Sequence, residues 1–256
     1  MAATPPDLIE RAARAPGDAT IAARILPLLD LTSLGDDTTE AGIEALCARA
    51  IDAGVAAVCV WPRFLRVAKT RLARSPIRLA TVANFPDGSD DLERVADETA
   101  AALAGGADEV DAVAPIQAIL DGDIGLVTEL VQACRKAAPD VTLKVILETG
   151  RLAEPARIAA AARAAIMGGC DMLKTSTGKI VPGATLEAAA VLLAVIEEAD
   201  GRVGIKLSGG IRTTQQAAQY LYLVDHFLGS GWTSPATLRF GASALLEDLL
   251  KVLRAD

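Results

Sequence analysis

Short apolar runs alternate along this chain with longer segments rich in Ala, Glu, Arg and Leu at helical spacing. The runs at 25–31, 56–61, 77–82, 109–114, 143–147, 172–175, 203–207 and 238–240 predict strands. Several are apolar on both faces, as strands of a helix-covered parallel sheet must be. Helices are predicted between them, such as those at 39–53, 91–104, 125–137, 154–167, 185–198 and 214–224, with a closing helix at 242–253. Residues 6–20 predict an extra N-terminal helix. Eight strand–helix units in about 250 residues is the arithmetic of an α/β fold closed as a (β/α)8 TIM barrel. A doubly wound open sheet would show a Gly-rich turn after its first strand. Here that turn reads Asp30-Leu-Thr-Ser-Leu-Gly-Asp-Asp37, which does not fit. No linker, low-complexity stretch or repeat divides the chain, so one domain over 1–256 is expected, with 1–20 as its helical extension.

Composition sharpens this picture in three ways. Of 256 residues 52% are hydrophobic and only 3% aromatic, so a large core must be aliphatic and alanine-rich. The net charge of −8 argues against nucleic acid as a partner, yet leaves room for a local basic pocket that takes an anionic small molecule. Cys47, Cys59, Cys134 and Cys170 are far apart and form no Cys-x-x-Cys pair, which predicts a reducing, cytoplasmic compartment. His226 is the single histidine, so a histidine-rich metal site is not expected, and no cofactor is implied. No apolar run approaches ~18 residues and the first residues lack the features of a signal peptide, so neither a membrane span nor a leader is expected.

The chemistry lies in charged residues set inside apolar strands. Lys174 lies in Asp-Met-Leu-Lys-Thr-Ser-Thr-Gly-Lys (171–179) and Lys206 in Val-Gly-Ile-Lys-Leu-Ser-Gly-Gly-Ile-Arg (203–212). An ammonium in such a setting costs free energy unless it is paired or loses its proton. Two of them close together depress each other's pKa, and a neutral amine is what Schiff-base chemistry requires. Strand four adds Asp111 and strand five adds Lys144, which lies deeper in its strand. Four successive strands ~4.8 Å apart can aim inward side chains at one volume. The competing reading is a set of outward residues or barrel-filling ion pairs, but three lysines against one aspartate leave positive charge in excess.

A phosphate cradle is also legible. Thr177-Gly178-Lys179, Gly209-Gly210-Ile211-Arg212 and Gly241-Ala242-Ser243 follow strands six, seven and eight. Barrels commonly bind phosphate with such loops and a helix N-terminus, where glycine lets backbone N–H groups approach and Arg or Ser adds donors. Asp30 and Thr32 could bond a polyol, although Thr32 equally suits a capping role. Cys59 ends strand two, where a buried inert thiol is the commoner fate. Trp61-Pro-Arg-Phe64 reads as packing and a turn, Asn84 as a loop residue with a polar contact, and His226 as structural.

These residues resemble the deoxyribose-phosphate aldolase family, class I aldolases of the DeoC type, over about 29–253. The landmarks are Leu-Asp-Leu-Thr (29–32), Cys-Val-Trp-Pro-Arg-Phe (59–64), Ala-Thr-Val-Ala-Asn-Phe-Pro (80–86), Gly-Ala-Asp-Glu-Val-Asp (106–111), Leu-Lys-Val-Ile-Leu-Glu-Thr-Gly (143–150), Lys-Thr-Ser-Thr-Gly-Lys (174–179) and Arg-Phe-Gly-Ala-Ser (239–243). The resemblance implies Lys174 as Schiff-base lysine, Lys206 as its pKa-lowering neighbour and Asp111 as the proton-handling carboxylate. It implies substrate contacts at Asp30, Leu34, Cys59 and Thr177, to which the strand reading adds Thr32 and Lys144, and phosphate contacts at Gly178, Lys179, Gly209, Gly210, Arg212 and Ser243, to which the cradle reading adds Gly241. The implied reaction is metal-free reversible cleavage of 2-deoxy-D-ribose 5-phosphate to acetaldehyde and D-glyceraldehyde 3-phosphate, within deoxyribose phosphate catabolism. Phosphosugar and aldehyde are then the partners, with no nucleic acid or membrane, in a homodimer. Three departures stand out. Leu207-Ser208 follows the second lysine, Ala244 replaces a second serine, and the chain ends Leu-Arg-Ala-Asp without the terminal tyrosine of some members, which predicts slower turnover. Two other readings compete: a keto-acid or transaldolase type of Schiff-base aldolase, and a catalytically silent phosphosugar-binding barrel.

Overall fold

The structure, a computed structural model, describes residues 6–255. Its eight strands are β1 Leu29–Ser33, β2 Ala57–Val60, β3 Arg78–Ala83, β4 Glu109–Val113, β5 Thr142–Ile146, β6 Met172–Lys174, β7 Gly204–Ser208 and β8 Leu238–Ala242. All pair in parallel and in sequence order, and β8 returns to β1 with Leu29 opposite Phe240, closing a (β/α)8 barrel. The helices are α1 Pro6–Ala13, α2 Ala19–Ile25, α3 Glu40–Ala53, α4 Leu65–Leu72, α5 Leu92–Ala104, α6 Ile116–Asp121, α7 Gly125–Ala137, α8 Thr149–Leu152, α9 Pro155–Gly168, α10 Leu186–Glu198, α11 Thr214–Leu228 and α12 Leu245–Arg254. None of them is long and apolar enough to cross a membrane.

The alternation of strand side chains divides the core. Outward residues such as Leu29, Leu31, Val58, Val110, Leu143, Val145, Ile205 and Leu207 are buried beneath the helices in one large aliphatic cluster. A small second cluster of Leu34, Cys59, Ala80 and Val82, backed by Trp61 and Phe85, is contributed mainly by β2 and β3. On the same side, β1, β4, β5, β6, β7 and β8 each contribute at least one charged residue. The barrel interior is thus apolar along one side and ionic along the other.

Among the boundaries that differ from the sequence reading, α11 runs on to Leu228 rather than ending at 224, and three others have a clear local reason. The helix expected over 6–20 is two helices, α1 and α2. Pro16 lacks an N–H, and a side chain on Gly17 would lie 2.5 Å from the Gln215 backbone nitrogen, so the chain turns there. Asp18 then caps α2 by accepting from the Ile21 N–H at 2.9 Å. The first strand begins at Leu29 rather than at 25, because α2 and a 3-10 turn over Leu26–Leu28 take the preceding apolar residues. The last helix starts at Leu245, and Ala242 still belongs to β8. Elsewhere side chains cap the helices: Thr39 opens α3, and Thr213 with Gln216 forms a reciprocal capping box on α11.

Candidate active site

The β6–β7 register sets Lys174 directly opposite Lys206. Both ammonium groups turn inward and donate to the same atom, Asp111 Oδ2, at 2.7 Å each, so their nitrogens are at most twice that distance apart. Asp111 Oδ1 accepts from Lys144 Nζ at 2.7 Å. Lys144 lies two residues earlier in the register, opposite Met172, and also meets Glu109 Oε2 at 2.6 Å. Lys206 reaches Asp30 Oδ2 at 2.5 Å. Arg239 joins Asp30 Oδ1 at 2.5 Å to Glu109 Oε1 at 2.8 Å. Lys144, Lys206, Asp30 and Asp111 are fully buried, and Lys174 retains 3% of its surface.

The network therefore holds three carboxylates (Asp30, Glu109, Asp111) and four cationic side chains (Lys144, Lys174, Lys206, Arg239). An uncompensated charge inside a barrel is expensive, so one cation is under pressure to shed its proton. The contacts decide which one. Burial weakens the hold of Lys206 on its proton, but Asp111 and Asp30 outweigh it and keep this amine charged. Lys144 likewise stays charged, because Asp111 and Glu109 overcome burial. Lys174 has Asp111 alone. Its pKa falls below the ordinary lysine value through burial first, with the Lys206 charge adding to it and Asp111 opposing. The like-charged neighbour expected from sequence is thus a secondary cause. Burial would raise Asp111, but Lys144, Lys174 and Lys206 hold it well below the usual carboxylate range.

Above Lys174 opens a cleft of about 390 Å³ at the C-terminal ends of the strands. It is lined by Lys174, by Thr32 near the end of β1 and Leu34 just after it, and by Thr177, Gly178 and Lys179 after β6. Gly209, Gly210 and Arg212 after β7, with Gly241 and Ser243 at the end of β8, complete it. Gly178, Gly209 and Gly210, all lining the cleft, have φ of 78°, 95° and 93°, a region that favours glycine. The Arg212 side chain is exposed and has no ion-pair partner among the described residues. Gly241 serves packing: a side chain there would lie 2.9 Å from Lys206 Cε, so this glycine admits the lysine stem.

Several residues expected at the substrate are placed differently. Asp30, Cys59 and Lys144 do not line the cleft; they are wholly buried beneath it, as are Asp111 and Lys206. Asp30 and Lys144 are occupied by the ion network, and burial pushes the Cys59 thiol up. The Thr32 hydroxyl donates to the Asp30 carbonyl at 2.8 Å instead of capping a helix. Lys179 lines the mouth, but its ammonium donates to the Leu34 carbonyl at 2.8 Å, tying the β6 loop to the β1 loop. Asn84 holds the Ser89 and Val113 carbonyls, and His226 packs edge-on against Phe227 away from the cleft.

Four residues of the site escaped the sequence reading. Glu109 is two positions before Asp111 and so on the same strand face, a signal that alternation alone supplies. Arg239 is the charged residue within the apolar run Leu-Arg-Phe (238–240). Ser208 lines the cleft and donates to the Ser176 carbonyl at 2.6 Å. Glu148, buried in the β5 loop with φ 49°, accepts from both the N–H and the hydroxyl of Thr177, at 3.2 and 2.5 Å.

The chain is similar to known proteins over nearly its whole length. A structure from Toxoplasma gondii ME49, provisionally named deoxyribose-phosphate aldolase, aligns with a TM-score of 0.85 at 25% identity, covering 93% of this chain and 95% of that one. One from Coccidioides immitis, provisionally named likewise, gives 0.80 at 27% identity over 98% and 99%. The deoxyribose phosphate aldolase of Aeropyrum pernix, described as having a unique tetrameric structure, shares the fold at 0.76 with 22% identity over 98% and 99%. The DeoC/LacD family aldolase profile matches residues 25–249. The chain belongs to the DeoC/LacD family of aldolases.

Proposed function

We propose that this protein is a class I aldolase that reversibly cleaves 2-deoxy-D-ribose 5-phosphate to acetaldehyde and D-glyceraldehyde 3-phosphate. One observation carries the reading: within a sealed ion network, the amine exposed to the cleft is the one whose proton is held least tightly. In the neutral form, the Lys174 amine attacks the aldehyde carbon of the open-chain sugar, and uptake of one proton with loss of water leaves a protonated imine. The C2–C3 bond then breaks as the C3 hydroxyl gives up its proton, and the bonding pair moves toward the imine nitrogen. Glyceraldehyde 3-phosphate leaves, the enamine carbon takes a proton, and water releases acetaldehyde. Asp111, ionised and bonded to both Lys174 and Lys206, supports proton acceptance rather than resting acidity. Being buried beneath the cleft floor beside Lys206, it exchanges protons with substrate through a water. Arg212, Ser243 and the open backbone of Gly178, Gly209 and Gly210 suit the phosphate, which fixes the carbonyl over the amine. The test is acetaldehyde release from 2-deoxy-D-ribose 5-phosphate, with and without EDTA. Release undiminished by EDTA is expected; no release, or turnover only with ketone or 2-oxo-acid donors, contradicts the proposal.

A further inference from the structure

The ion network does not end at the catalytic groups. From Asp111 it continues through Lys144 to Glu109, and from Glu109 through Arg239 to Asp30. Glu109 and Arg239 line a separate cavity of about 570 Å³ that does not share a lining residue with the substrate cleft. Its other walls include Pro27, Ala56, Arg78 and Thr142, residues that open or precede their strands, so it lies at the opposite end of the barrel. Neither residue lines the substrate cleft, yet both are nearly sealed from solvent, at 2% and 5% exposure.

We propose that Glu109 and Arg239 are remote positioning residues for the nucleophile, which complete a charge set that is neutral only when Lys174 carries no proton. The inference rests on the Schiff-base reading and extends it to two residues outside the cleft. The groups around Lys174 come from nearly every strand: Asp30 from β1, Cys59 from β2, Asp111 and Glu109 from β4, Lys144 from β5, Lys206 from β7 and Arg239 from β8. The buried residues of β3 carry no charge. With Lys174 neutral, Asp30, Glu109 and Asp111 balance Lys144, Lys206 and Arg239. Removing Glu109's charge leaves the set one positive, which disfavours an added proton on Lys174. Removing Arg239's charge leaves it one negative, and a protonated Lys174 then restores balance. The two substitutions act in opposite directions, which loss of packing alone does not produce.

The experiment follows the pH dependence of borohydride-trapped imine on Lys174, with acetaldehyde as probe, in the full chain. Glu109→Gln moves the midpoint down and Arg239→Met moves it up, each by about one pH unit, the order of a unit charge ~10 Å away at an effective dielectric of ~20. Glu109→Asp and Arg239→Lys keep the charge and leave the midpoint near that of the parent. If Arg239→Met does not fold, Glu109→Gln, which preserves shape, still decides the matter. Trapping at Lys174 with one midpoint in parent and charge-removing variants overturns this inference while the Schiff-base reading stands. No trapping at Lys174 in the parent at any pH overturns that reading itself.

Discussion

Replacing Lys206 with Met probes the balance most sharply. The side chain touches Asp111 at 2.7 Å and Asp30 at 2.5 Å, and its nitrogen is at most twice 2.7 Å from Lys174. At that separation and an effective dielectric of ~20, the lost repulsion is about 3 kcal/mol, or about 2 pH units on the Lys174 amine. The substitution also leaves three carboxylates facing Lys144, Lys174 and Arg239, a set that is balanced when Lys174 is charged. Lost repulsion and restored balance are one removed charge seen two ways, and it raises the pKa of the nucleophile. A raised pKa means that the neutral amine is depleted below it, so the acid limb of kcat/KM moves to higher pH and activity near neutrality falls about 100-fold, with recovery as pH rises. The assay is the cleavage rate of 2-deoxy-D-ribose 5-phosphate between about pH 6 and pH 10. Breaking a buried pair destabilises by about 3–5 kcal/mol, so a thermal melt accompanies it. A lower rate with an unmoved acid limb in a folded variant refutes the reasoning.

Other expectations follow from the same geometry. Arg212→Ala should raise KM for the phosphorylated sugar about 10- to 100-fold, the worth of a charged hydrogen bond, and leave unphosphorylated 2-deoxyribose nearly unchanged. Equal loss on both sugars contradicts the phosphate assignment. Lys179→Ala should change that KM by less than about threefold, because its ammonium is engaged by the Leu34 carbonyl; a loss as large as that of Arg212→Ala would show it reaching the phosphate. Gly241→Ala should lower kcat and shift the acid limb, since the added carbon would displace the Lys206 stem; wild-type kinetics would refute that packing role.

Much of the barrel was legible because its strands are apolar on both faces, and charged residues in them are conspicuous. Lys174, Lys206 and Asp111 stood out for that reason. Glu109 and Arg239 did not, since a charge near the start of a strand looks like a boundary residue. Only the closed topology brings β8 against β1 and lets Arg239 bridge to Glu109 across the interior. Asp30 and Lys144 looked like substrate contacts because sequence gives strand position but not depth beneath the cleft floor. The apolar stretch 25–28 carries no periodicity that separates a short helix from a strand, so the first boundary was misplaced. Glu148 lies in a loop with a left-handed backbone, where neither alternation nor helical period applies.

The central claim is that Lys174 is the nucleophile. Borohydride reduction of the protein with acetaldehyde, followed by peptide mapping, tests it directly. An ethyl group on Lys174 alone, lost in Lys174→Ala together with all turnover, is the predicted result. An adduct confined to Lys144, Lys206 or a surface lysine, or none at all, contradicts the account.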